Sequence, residues 1–143
     1  MRRLALLLVV AFTLAACGGS SHSTTSSGPD AQAQIKTAYV KFFAPSTPLA
    51  QRVALLQNGE RFRPVIKTFA SIPLAKQVSV SVSSVTLENA NRAKVAFNIK
   101  LGSSSLGTQN GTAVRQGGTW KVGYQGLCRL VSLQGSTPSA CKP

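Results

Sequence analysis

Val78-Ser-Val-Ser-Val82, then Val85-Thr-Leu87, then Ala93-Lys-Val-Ala-Phe-Asn-Ile-Lys-Leu101 decide the fold of this chain. Apolar and polar residues alternate through these runs, which is the pattern of strands with one dry and one wet face. Val78, Val80 and Val82 alternate with Gln77, Ser79, Ser81 and Ser83, and Val85 and Leu87 resume one residue out of phase. That slip predicts a bulge near Ser83-Ser84 and a bend in the sheet. Glu88-Asn-Ala-Asn91 predicts a turn, after which Ala93, Val95, Phe97, Ile99 and Leu101 share one face and Arg92, Lys94, Asn98 and Lys100 the other. A looser third strand runs from about Leu106 to Gln116, and Gly117-Gly118 makes the next turn. Thr119-Trp-Lys-Val-Gly-Tyr124 reads as a fourth strand with Trp120, Val122 and Tyr124 inward.

Upstream of Lys76 the apolar period is helical. Asp30 is placed to cap a helix from Ala31, along which Ile35, Ala38, Tyr39, Phe42 and Phe43 form one stripe. Thr47-Pro48 predicts a restart with a capping hydroxyl and a proline at the first helical position, and Leu49, Val53, Leu55 and Leu56 follow as far as Asn58-Gly59. A third helix is expected from Glu60 to about Ser71, with Phe62, Val65, Ile66 and Phe69 inward. Helices first and a strand meander second predict an α+β fold, with N-terminal helices packed on a curved four-stranded antiparallel sheet. That order resembles the cone-shaped nuclear transport factor 2-like and cystatin-like folds.

The chain has 143 residues, enough for one domain, and sixteen Lys and Arg face only Asp30, Glu60 and Glu88, a formal net charge of +13. His22 is the only imidazole. General acid and base catalysis draws mostly on His, Asp and Glu, so this inventory argues against an enzyme and implies no metal or cofactor. Ketosteroid-isomerase-like enzymes on the cone fold use an inward Asp base, and no strand here carries an inward acid.

Met1-Arg-Arg3 followed by the apolar run Leu4 to Leu14 has the layout of a secretory signal and is too short to span a bilayer. Leu14-Ala-Ala-Cys17 resembles the lipobox of bacterial lipoproteins. The resemblance implies cleavage before Cys17, a diacylglyceryl group on its thiol, and usually a further acyl chain such as palmitate on the new N-terminus, which together anchor stably. The expected organisation is a signal peptide over residues 1–16, a lipidated Cys and Ser/Thr/Gly tether over 17–29, and a single α+β domain over 30–143. The tether would hold the domain within about 20 Å of the bilayer. The protein is thus expected on the extracytoplasmic face of the cell membrane.

With Cys17 lipidated, Cys128 and Cys141 remain as a pair, and an even pair in an exported domain reads as a disulfide. It would tie the tail from Arg129 to Ala140 back to the end of the last strand, a closure worth roughly 3 kcal/mol. Tyr39, Phe43, Phe62, Phe69, Trp120 and Tyr124 are the large inward aromatics. They are the candidate lining of a ligand pocket, and core packing accounts for them at least as well.

Loss of Arg2 and Arg3 with the signal leaves fourteen basic residues against three acids, a net side-chain charge of +11. The cations are dispersed and no nucleic-acid reading element accompanies them, so nucleic acid is not an expected partner. Two readings of the charge stand together: attraction to anionic lipid or envelope polymer, and solubility.

From Gln34 to Cys141, about three quarters of the chain, the sequence resembles the actinobacterial family named for a mycobacterial low-molecular-weight antigen. The resemblance rests on Leu55-Leu-Gln-Asn-Gly-Glu60, Val78 to Val82, Ala93 to Phe97, Gly117-Gly-Thr-Trp-Lys121, and Leu127-Cys128 with Cys141. It implies a small extracytoplasmic domain, with N-terminal helices and a C-terminal sheet, and carries over no catalytic residue. The expected function is a non-catalytic binding or structural lipoprotein of the cell envelope. The alternatives are a carrier of a small apolar ligand and a degenerate enzyme on the same fold.

Overall fold

The computed structural model describes residues 28–132, 135 and 137–142. Three helices come first: α1 (Pro29–Phe43), α2 (Leu49–Leu55) and α3 (Gly59–Ser71). A 3-10 turn at Pro73–Gln77 leads into β1 (Val78–Asn89), β2 (Arg92–Leu101), β3 (Ser104–Gln116) and β4 (Thr119–Val122). A fourth helix, α4 (Tyr124–Ser132), and a short 3-10 turn at Ser139–Cys141 complete the described chain.

The strands form one antiparallel sheet in the order β1-β2-β3-β4. The α+β expectation is met, and the bulge falls where the phase slip put it, between Val82 and Ser84. Ala93, Val95, Phe97 and Ile99 are buried while Lys94 and Lys100 are exposed, so β2 has the dry and wet faces its alternation demands. The buried stripe of α1, from Ala31 to Phe43, packs onto the dry face. Tyr39 and Phe43 meet Phe97 there, at centroid distances of 5.1 and 6.0 Å.

The helix ends differ from expectation. α1 begins at Pro29, where a missing N–H costs nothing, and Asp30 lies inside the first turn with no capping bond. Thr47 does not cap α2 through its hydroxyl. Instead the Thr47 carbonyl accepts a hydrogen bond from Arg52 Nε at 3.0 Å, and the Ala44 carbonyl accepts one from Arg52 Nη2 at 2.6 Å. Arg52 is only 3% exposed. The carbonyl end of α1 is the negative pole of that helix, so its free acceptors compensate a cation that burial alone disfavours. The same burial lowers the Arg52 pKa from its ordinary value.

Asn58-Gly59 does not simply end α2. Asn58 takes the left-handed conformation and α3 starts at once from Gly59, where any Cβ would collide with the Val53 carbonyl. This turn is fastened to the sheet. Leu56 bridges Val122, the Gln57 N–H donates to the Val122 carbonyl at 2.8 Å, and Asn58 exchanges two hydrogen bonds with Gln116. The outer edge of β4 is thereby covered.

β4 stops two residues short of expectation. Gly123 is buried, its N–H donates to the Thr112 carbonyl at 2.7 Å, and a Cβ there would strike the Thr112 hydroxyl. Tyr124 is therefore the first residue of α4 and not an inward strand residue. It stacks on Phe62 with centroids 5.0 Å apart.

Candidate functional site

Cys17 lies outside the described residues. Cys128 and Cys141 form a disulfide with their Cα atoms 5.5 Å apart. Because Cys128 sits on α4, the bridge ties the C-terminal turn to a helix and not to the end of the last strand.

The six aromatics are not brought together around one cavity. Tyr39, Phe43, Phe62 and Trp120 are packed in the core, each at most 2% exposed. Phe69 lines a surface groove of about 390 Å³ between α3 and the C-terminal turn, together with Val65, Val131 and Pro138. Tyr124 borders a separate depression beside the disulfide. A carrier of an apolar ligand would therefore have to work from that groove, because the space between α1 and the sheet is occupied by side chains.

A different surface gathers polar chemistry. The wet phases of three strands align in rows, Thr86 beside Lys94 beside Thr112, and Ser84 beside Ala96 beside Asn110. β4 pairs with β3 only from Ala113 to Gln116, so β3 has no strand partner on that side below Ala113. Into this position comes α4, which places Gly126 and Arg129 beside Gln109 and Asn110. Between α4 and the two rows lies a cleft of about 400 Å³, lined by hydroxyls, amides, Lys94 and Arg129, with Val95 and Ala96 as its apolar residues.

Four features set its chemistry. No carboxylate lines it. Glu88, which bridges Arg92 at 3.1 Å and Lys94 at 3.2 Å, is the nearest acid that the ion pairs reveal. The Arg129 side chain has no ion pair or hydrogen bond with a described residue. Gly126 keeps the α4 wall open, since a Cβ there would meet nothing within 4 Å.

The cleft floor is held from the core side. The Tyr39 hydroxyl donates to the Thr112 carbonyl at 2.7 Å, the same carbonyl that accepts from Gly123. Burial raises the Tyr39 pKa above the ordinary phenol value. Gly111 allows that reach, because a Cβ on it would run into the Tyr39 hydroxyl.

None of the cleft residues stood out in the sequence as a site. Lys94 was visible only as an outward strand residue, and Arg129 as part of a tail. The available signal was the shared outward phase of Thr86, Lys94 and Thr112, which needs the strand register before it becomes a cluster.

Among the described residues no group of three His, Cys, Asp or Glu is placed to hold a metal, and no helix is long and apolar enough to cross a membrane. The family model described as low molecular weight antigen MTB12, C-terminal domain, matches residues 28–138. No curated protein matches the chain.

Proposed function

The chain belongs to the family of the low molecular weight antigen MTB12 C-terminal domain, and from that premise we propose that it is a lipid-anchored, non-catalytic binding module of the cell envelope. The observation that carries the binding role is the cationic cleft, where hydroxyls and amides converge with Lys94 and Arg129 and no carboxylate intervenes. Such a site favours anionic partners and offers no proton-transfer pair. The acid inventory supports the non-catalytic reading. Glu60 is engaged with Arg63 at 2.7 Å and Glu88 with Arg92 and Lys94, all of them on the surface. Leu14-Ala-Ala-Cys17 behind an apolar run supports an anchor at Cys17 on the outer face of the cytoplasmic membrane.

The test is the intact mass of the protein taken from its native membrane. The expected species begins at Cys17, carries acyl mass, and lacks the thiol hydrogens of Cys128 and Cys141. An unacylated chain beginning elsewhere would sink the anchor.

A further inference from the structure

We propose that the cleft between α4 and the wet face of β1 to β3 binds an acidic saccharide: a hydroxyl-rich ring carrying one oxyanion, phosphate or carboxylate. This deepens the binding-module reading and rests on it. The ligand class follows from what lines the site. A wholly apolar ligand is disfavoured because Ser84, Thr86, Thr112, Asn110 and Gln125, all able to donate and accept, border the space, while Val95 and Ala96 offer only a small apolar patch against which a sugar ring's C–H face can lie, and no aromatic borders it. Cationic ligands are disfavoured by Lys94 and Arg129. What remains is a molecule that can satisfy many neutral hydrogen-bonding groups at once and also carries negative charge.

The two cations have separate tasks. The Arg129 side chain has no partner among the described residues, and a guanidinium is a planar fork that matches an oxyanion through two parallel hydrogen bonds. Lys94 already shares Glu88 with Arg92, so its contribution is weaker and it serves mainly to hold the second side of the cleft positive. The first turn of α4, where Gln125 and Gly126 border the cleft, adds backbone N–H groups with no partner inside the helix. The volume of about 400 Å³ lies within the ordinary range for small-molecule sites. Gly126 supplies the room: it is a helical residue whose missing side chain leaves the wall open.

The experiment titrates the full chain in detergent micelles with glucose-6-phosphate, glucuronate, glucose and inorganic phosphate, following heat and the amide signals of Gly111 and Gly126. At least one acidic sugar is expected to bind at least about tenfold tighter than both glucose and inorganic phosphate, as a charge-assisted hydrogen bond implies. Arg129→Gln is expected to weaken that binding about tenfold or more. Lys36→Gln, an equal change of charge on an exposed part of α1, is expected to change it less than twofold, since screened distant charges contribute little. Gly126→Leu fills the space with no change of charge and with better helix propensity, so it is expected to fold and to abolish binding. Phosphatidylinositol vesicles against phosphatidylserine vesicles tell a lipid headgroup from a free saccharide. A preference for the inositol lipid extends the site to headgroups, and equal binding assigns it to soluble sugars.

Equal losses in Arg129→Gln and Lys36→Gln, binding that survives Gly126→Leu, glucose matching the acidic sugars, or no binding at all would overturn the cleft. The anchor is read separately by mass, so a protein that is acylated but binds no sugar loses this inference and keeps its place in the envelope.

Discussion

Tyr39 shows how much a single side chain can join in this protein. Its ring packs against Phe97 in the core, and its hydroxyl reaches through the gap left by Gly111 to the Thr112 carbonyl under the cleft. Removing the hydroxyl does not orphan that carbonyl, because the Gly123 N–H still donates to it. Tyr39→Phe is therefore expected to cost only about 1 kcal/mol in denaturant melts, the net worth of one hydrogen bond. The pH dependence is more diagnostic. Burial raises the folded pKa of Tyr39 above its unfolded value, so the folded state holds the phenol proton more tightly. The associated stability is complete below the unfolded pKa of about 10 and is lost as pH rises from there toward the folded value, by up to about 1.4 kcal/mol per pH unit. Tyr39→Phe should flatten this part of the alkaline stability curve. An unchanged slope in the variant would assign the loss to other groups.

At the level of elements, the α2–α3 turn fastens two helices to the edge of the sheet and the disulfide fastens the C-terminal turn to α4. Gly59→Ala places a Cβ against the Val53 carbonyl, a backbone atom that cannot rotate away. The loss is expected to reach about 3 kcal/mol, the upper range for overpacking, and to appear as poor expression or a lowered melting midpoint. Replacing Cys128 and Cys141 together by Ser opens a closure of thirteen residues' separation and is expected to cost about 3 kcal/mol by guanidinium melts. The Leu55 to Glu60 run, which carried part of the family resemblance, is fastened to the residues that flank the Gly117 to Lys121 run on either side: Leu56 and Gln57 meet Val122, and Asn58 meets Gln116. These contacts close one edge of the sheet.

The same elements show where sequence was readable. The strands and the bulge were legible because a period of two and its phase slip are local properties of Val78 to Leu101. α1 and α3 were legible through their apolar stripes. α4 was not, although Leu127, Leu130 and Val131 have helical spacing, because a nine-residue helix holding a glycine is a weak signal. With α4 hidden, Arg129 looked like tail and the cleft could not be assembled. Its assembly depends on β4 ending at Val122, where Gly123 approaches Thr112 too closely for any residue with a Cβ, and these two are eleven positions apart in the chain.

For the whole molecule, the proposed anchor at Cys17 raises the question of how lipid and charge would divide the task of holding the domain at a membrane. The cations occupy every side: Lys36 and Lys41 on α1, Arg61, Arg63 and Lys67 on α3, Lys94 and Lys100 on β2, and Arg129 on α4. Some are neutralised locally, Arg63 by Glu60 and the Arg92–Lys94 pair in part by Glu88. A field spread this way attracts the domain to an anionic bilayer without fixing one orientation, at about 1 kcal/mol for each cation near the surface. That attraction is screened, since the Debye length falls from about 10 Å at 0.1 M salt to about 3 Å at 1 M. Acyl chains are held by apolar burial and do not respond to salt in this way. A chain starting at Gly18 is therefore expected to float with phosphatidylglycerol vesicles at low salt and to be released at high salt, while the acylated protein stays bound in both. Release of the acylated protein at high salt would show that the anchor is electrostatic, and a chain from Gly18 that ignores anionic vesicles even at low salt would leave the net charge to solubility alone.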